Sequence, residues 1–186
     1  MNILEQLNAK GYVEIYKHHL DGRVELVYKD PNTITNGMAV TLARAFTAPN
    51  QPPLADFQIR YFQLGKGAGT DGSSTKVLTT PLTAAEYTTD GNADLVYRSV
   101  YNAGANRVQT FVRIPNSQIA RSGADKVTYI LTLDTNTANG MAITELGLFS
   151  ENPIAINASP MCAYKTITSI TKTSGFALTN KWSIEF

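Results

Sequence analysis

From Gly11 onward the chain alternates with a period of two, and this limits what it can fold into more than any other feature. Tyr12, Glu14, Tyr16 and His18 alternate with Val13, Ile15 and Lys17. After Asp21-Gly22, Val24, Leu26 and Tyr28 alternate with Arg23, Glu25, Val27 and Lys29. Successive side chains of a strand point to opposite faces, so this period marks strands. Asp-Gly between two such runs is a hairpin signal. Strands are expected at 11–18 and 23–30, with Pro31 stopping the second. Further strand-like runs cover 57–64, 95–101, 107–114, 127–133, 141–149, 162–170 and 176–186. In the last, Trp182, Ile184 and Phe186 share a face expected to point inward. No strand–helix–strand rhythm appears, which argues against a doubly wound parallel fold. The expected class is all-β, mainly an antiparallel β-sandwich or jelly-roll-like fold, with one main α-helix.

That helix is expected near 36–47, where Met38, Leu42 and Ala45 or Phe46 recur at helical spacing. Thr35 or Asn36 can accept its first amides, and Pro49, Pro52 and Pro53 end it. A second, short helical piece opens the chain. Residues 1–10 place Ile3, Leu4 and Leu7 at helical spacing but are too few to hold a helix alone. This N-terminal arm must dock, either on its own domain or on a neighbour as an assembly arm. Residues 11–186 form a single domain, with no repeat and no long linker. The domain's hairpin needs nothing from the arm, so removing residues 1–9 is expected to leave it folded.

Composition narrows the function classes. The chain has 186 residues, 16 basic against 15 acidic, and a net charge of +1. Basic residues are dispersed rather than striped, so no nucleic-acid partner is expected. No apolar run approaches the roughly 20 residues of a membrane helix, and no leader-like segment opens the chain. Only 17% of residues are charged, against about 25% in an average soluble domain. Charge keeps monomers apart, so a neutral, Thr- and Asn-rich surface suits packing against neighbours.

Several motifs imitate chemistry without its context. Gly67-Ala-Gly-Thr-Asp-Gly72 has dinucleotide-binding spacing, but no helix pattern follows it, and Ser73 stands where a P-loop needs lysine. The glycine-rich stretch 65–80 reads instead as an exposed surface loop. Asp134, Asn136 and Glu145 occupy positions one, three and twelve of a calcium loop, but the obligatory glycine is replaced by Asn139. A β-hairpin connection is the better reading. His18 and His19 point to opposite faces of a strand and cannot converge on one metal. The single cysteine, Cys162, excludes an internal disulfide and reads as a buried thiol. No nucleophile elbow is present. No catalytic residue, cofactor or metal site is expected, and the chain reads as non-enzymatic.

Three passages resemble structural proteins of tailed bacteriophage particles. One is Asn32-Thr-Ile-Thr-Asn-Gly37 running into the helix. The second is Phe62-Gln-Leu-Gly-Lys-Gly67, then a polar Gly/Thr loop, then Leu78-Thr-Thr-Pro-Leu82. The third is Ile143-Thr-Glu-Leu-Gly-Leu-Phe-Ser150, followed by Met161-Cys-Ala-Tyr-Lys-Thr-Ile167 and Trp182-Ser-Ile-Glu-Phe186. The stretch 150–160 departs from the pattern in its length and apolar middle. The resemblance implies a virion protein made in the host cytoplasm. Its partners would be other virion proteins and copies of itself, as a homo-oligomer. Capsid decoration or cement, and tail, baseplate or fibre adaptor, both fit. A carbohydrate-binding module on a virion is the alternative, with a glycan stacked on tyrosines such as Tyr97 and Tyr101.

Within the third passage, period two puts Ile143, Glu145, Gly147 and Phe149 on one face. A carboxylate there is either at a wet edge or buried with partners, since burying it alone is costly. Glu145 therefore reads as structural. Gly147 leaves room for a ring from the opposite sheet, or marks a bulge.

Overall fold

Ten strands hydrogen-bond into one antiparallel sheet in the computed structural model, which describes residues 9–47, 58–67, 78–87, 97–102, 107–150 and 161–186. In chain order they are β1 (Lys10–His19), β2 (Val24–Ile34), β3 (Ile59–Gly65), β4 (Tyr97–Asn102) and β5 (Arg107–Arg113). Then follow β6 (Ile119–Arg121), β7 (Lys126–Leu133), β8 (Ala142–Ser150), β9 (Met161–Thr171) and β10 (Phe176–Glu185). Across the sheet the order is β4-β5-β3-β8-β9-β2-β1-β10-β7-β6. Two helices are described, α1 (Asn36–Thr47) and α2 (Ala84–Tyr87). The expected N-terminal helical arm, with Ile3, Leu4 and Leu7, lies outside the described residues.

The sheet bends over on itself while its edge strands β4 and β6 stay unpaired with each other. Phe62 on β3 and Trp182 on β10 are five strand positions apart, yet their ring centroids are 5.9 Å from each other. In a flat sheet five steps would separate them by about 24 Å. The sheet therefore curls into a half-barrel. In the ladder its two arms are joined at Thr33–Tyr164 and Ile34–Ala163, where β2 pairs β9. The antiparallel β class with few helices is as expected, but the described strands belong to one curled sheet rather than two separate ones. Val13, Ile15, Phe62, Leu64, Leu131, Leu146, Leu148, Trp182 and Ile184 fill its concave side. Burying each such side chain is worth about 1.5–3 kcal/mol. α1 packs on β9, bringing the Thr41 hydroxyl 3.5 Å from the Cys162 sulfur. A second, smaller cluster of Tyr61, Leu78, Phe111, Phe149, Met161 and Tyr164 covers the opposite face.

Local chemistry explains the elements and the departures from expectation. Gly22 turns the first hairpin with φ of +85°, which costs glycine no steric strain, and Asp21 accepts the Arg23 amide at 3.0 Å. β2 does not stop at Pro31, which pairs with Tyr12 and lies short of the β9 junction. Proline is tolerated where the far side of a strand has no partner. The Thr35 hydroxyl does not cap α1 but donates to the Met161 carbonyl; the Thr35 carbonyl takes the Met38 amide at 3.0 Å. Phe186 does not turn fully inward with Trp182 and Ile184: it ends the chain 42% exposed. A bulge between Ile143 and Glu145 breaks the expected shared face. Ile143 joins the concave core with Leu146 and Leu148, while Glu145, Gly147 and Phe149 point to the other side.

Candidate functional site: the Glu145 clamp and an open groove

Glu145 sits opposite Gly65 across the β8–β3 ladder. A Cβ on Gly65 would lie 2.5 Å from the Glu145 Oε1, so only glycine lets the side chain fold over it. Gly67 is equally tight: its Cβ would meet Glu145 and, at 2.7 Å, the Thr79 Cβ. The carboxylate is fully buried. Oε1 accepts the Gly67 amide at 3.1 Å and the Thr80 amide at 2.7 Å. Oε2 accepts the Thr79 amide at 3.0 Å and the Tyr164 hydroxyl at 3.2 Å. A carboxylate has about four acceptor positions, and four donors fill them. Burial is costly for an unpaired carboxylate, and these bonds offset it.

Other bonds lock the same junction. The Thr144 hydroxyl donates to the Gly67 carbonyl at 2.6 Å, and the Lys66 amide to the Thr80 carbonyl at 2.9 Å. Lys66 forms an ion pair with Glu86. Burial alone would raise the Glu86 carboxyl, but bonds from Lys66 and Thr83 outweigh it and hold it low. The Tyr87 hydroxyl accepts the Leu64 amide at 2.9 Å, and burial pushes this phenol well up. The ends of the stretch 65–80 are thus fixed by hydrogen bonds, with Gly65, Gly67 and Leu78 buried, Thr80 half-buried and Lys66 and Thr79 exposed; the rest of the expected loop, 68–77, lies outside the described residues. Gly147 leaves room for its own neighbour's ring: a Cβ there would stand 2.8 Å from Phe149 and 3.1 Å from the Met161 sulfur.

Sequence reading missed α2 and the clamp's donors. One signal was legible: Thr83-Ala-Ala-Glu86 is a capping box. The Thr83 amide donates to Glu86 at 2.8 Å, and the Glu86 amide donates back to the Thr83 hydroxyl at 3.3 Å. The main-chain donors to Glu145 left no signal, because any residue supplies an amide.

An open groove of about 560 Å³ runs between α1 and the ends of β7 and β10. Met38, Leu42, Ile59, Ile119, Val127 and Phe186 supply its apolar walls. Arg60 and Asn116 join at its rim through a 2.9 Å hydrogen bond. On the convex face, Tyr12, Glu14, Lys29, Lys126, Lys181 and Ser183 surround a shallower hollow of about 270 Å³. Glu14 pairs with Lys29 at 2.9 Å and Lys181 at 3.0 Å, and these ammonium groups lower its carboxyl to about 2.

The other sequence candidates are spent on structure. Asp134 accepts the Asn136 amide at 2.9 Å and the Thr137 hydroxyl at 2.6 Å, closing a turn. His19 contacts Glu25 at 2.9 Å and tilts against Phe176. Cys162 is free and buried, and burial pushes its thiol up to about 12. Among the described residues no group of three or more His, Cys, Asp and Glu could hold a metal. Tyr97 and Tyr101 lie on β4.

No protein-family model, curated protein or solved structure matches the chain. Its function has to be read from these contacts and from the sequence resemblance.

Proposed function

We propose that this chain is a non-enzymatic structural component of a bacteriophage particle. It docks on capsid, neck or tail proteins and on copies of itself. The supporting observation is Glu145, which belongs to the third passage of the resemblance and is bonded to both halves of the second. Passages 65 residues apart are thereby one physical unit, which fixes Gly67 and Thr80, on either side of 68–77 in the sequence. Three of the four acceptor positions of this buried carboxylate hold the two sides of that stretch and the fourth takes the Tyr164 hydroxyl of β9, which suits a rigid building block. The two arms of the sheet are read as the layers of a sandwich joined at Thr33 and Ile34. Capsid decoration and a tail or fibre-adaptor role both accommodate this geometry. The test is mass spectrometry of gradient-purified particles of the phage encoding the chain, with image reconstruction. The expected result is the chain at a fixed copy number in a symmetric position; its absence from particles would overturn the reading.

A second reading is a carbohydrate-binding module on a virion. It is favoured by Tyr12, 39% exposed beside Lys29, Lys126 and Lys181. An aromatic face with ammonium groups around it suits an acidic sugar. Binding to acidic glycans that Tyr12→Ala abolishes would select this reading.

A further inference from the structure

We propose that the groove between α1 and the ends of β7 and β10 is the seat of this chain's own N-terminal segment, residues 1–8. Ile3, Leu4 and Leu7 would be the side chains that enter it. The inference does not rest on the virion reading.

The starting point of the segment carries the proposal. β1 begins at Lys10, which pairs with Glu185 at the end of β10. Continuing that register by one step sets Ala9 opposite Phe186, and Phe186 is itself a wall of the groove. The segment therefore leaves the sheet at the groove's edge. Eight residues reach about 12 Å as a helix and at most about 29 Å extended. Either form can enter without help from a second copy. The chemistry also matches. The walls offered by Met38, Leu42, Ile119 and Val127 are aliphatic or thioether. The segment carries three aliphatic residues and one charged side chain, Glu5. Seating it would cover Phe186, a residue 42% exposed just after β10.

The experiment uses the full chain with Leu7→Cys and Ile119→Cys, oxidised over a range of protein concentrations. Native Cys162 is buried and does not compete. The expected product is an intrachain cross-link at monomer mass, independent of dilution. A disulfide-linked dimer would mean that a sister copy's arm fills the groove, and would overturn the proposal. If the double variant does not fold, the wild-type chain decides by nuclear Overhauser contacts. Contacts between the Leu4 or Leu7 methyls and the Phe186 ring in a monomer support the seat; their absence overturns it.

Discussion

The Glu145 carboxylate on β8 accepts the Thr80 main-chain amide at 2.7 Å, across 65 residues of sequence. The same group holds Gly67 and Thr79, so one side chain fixes both ends of the stretch between them. Glu145→Gln keeps the size but turns one acceptor into a donor, which then faces N–H groups. A buried polar group left unsatisfied costs about 1–3 kcal/mol, more where a charge was involved. The expected loss is about 3 kcal/mol, or roughly 6–12 °C in melting temperature for a chain of this size. Thermal denaturation followed by circular dichroism measures it. A variant melting with the wild type would remove Glu145 from its structural role.

Acid should act through Glu14. Lys29 and Lys181 hold its folded-state carboxyl at about 2, below the ordinary value of 4.5. A depressed carboxyl stabilises the fold above the unfolded value and loses that contribution as pH falls through the folded one. The window is therefore about pH 5 down to about pH 2. Lys29 is exposed and Lys181 half-buried, so screening reduces the contribution to about 1 kcal/mol. Glu14→Gln is expected to be less stable at pH 7 and to lose less stability on acidification. Urea titrations at pH 7 and pH 3 would show the two proteins converging; a constant gap would contradict the ion-pair assignment.

The core prediction concerns the chain's single tryptophan. Trp182 is fully buried on β10, between β1 and β7, and packs against Phe62 from the other arm of the sheet. Trp182→Ala is expected to cost about 3–5 kcal/mol. Deleting 182–186 also removes Ile184 and four ladder positions, and should abolish cooperative unfolding. Differential scanning calorimetry distinguishes the outcomes. An unchanged transition in the deletion would mean that β10 ends before Trp182.

Much of the strand layout was legible because alternation and turn chemistry are local signals. Asp21-Gly22 announced its hairpin, and Met38 and Leu42 announced α1, within the residues concerned. The curl was not legible, since it depends on Phe62 meeting Trp182 across the sheet. The bulge beside Glu145 was also hidden: an extra residue inverts the alternation without changing composition. Glu145 stood out as a carboxylate among apolar neighbours, and its two possible environments could be stated. Which of them applied depended on amides of Gly67, Thr79 and Thr80, and main-chain donors carry no residue signature. The short β6 and the 3₁₀ turn at Asn116–Gln118 passed unnoticed because three residues show no period.

Hydrogen exchange at the amides of Gly67, Thr79 and Thr80 tests the clamp most directly. In the wild type all three donate to a buried carboxylate and should exchange slowly, as the strand ladder does. In Glu145→Gln they should exchange at least about tenfold faster, corresponding to a local loss of about 1.4 kcal/mol. Amides of β1 and β10, which do not touch Glu145, serve as the reference within each protein. Rapid exchange at these three positions in the wild type, or no change in the variant, would contradict the clamp.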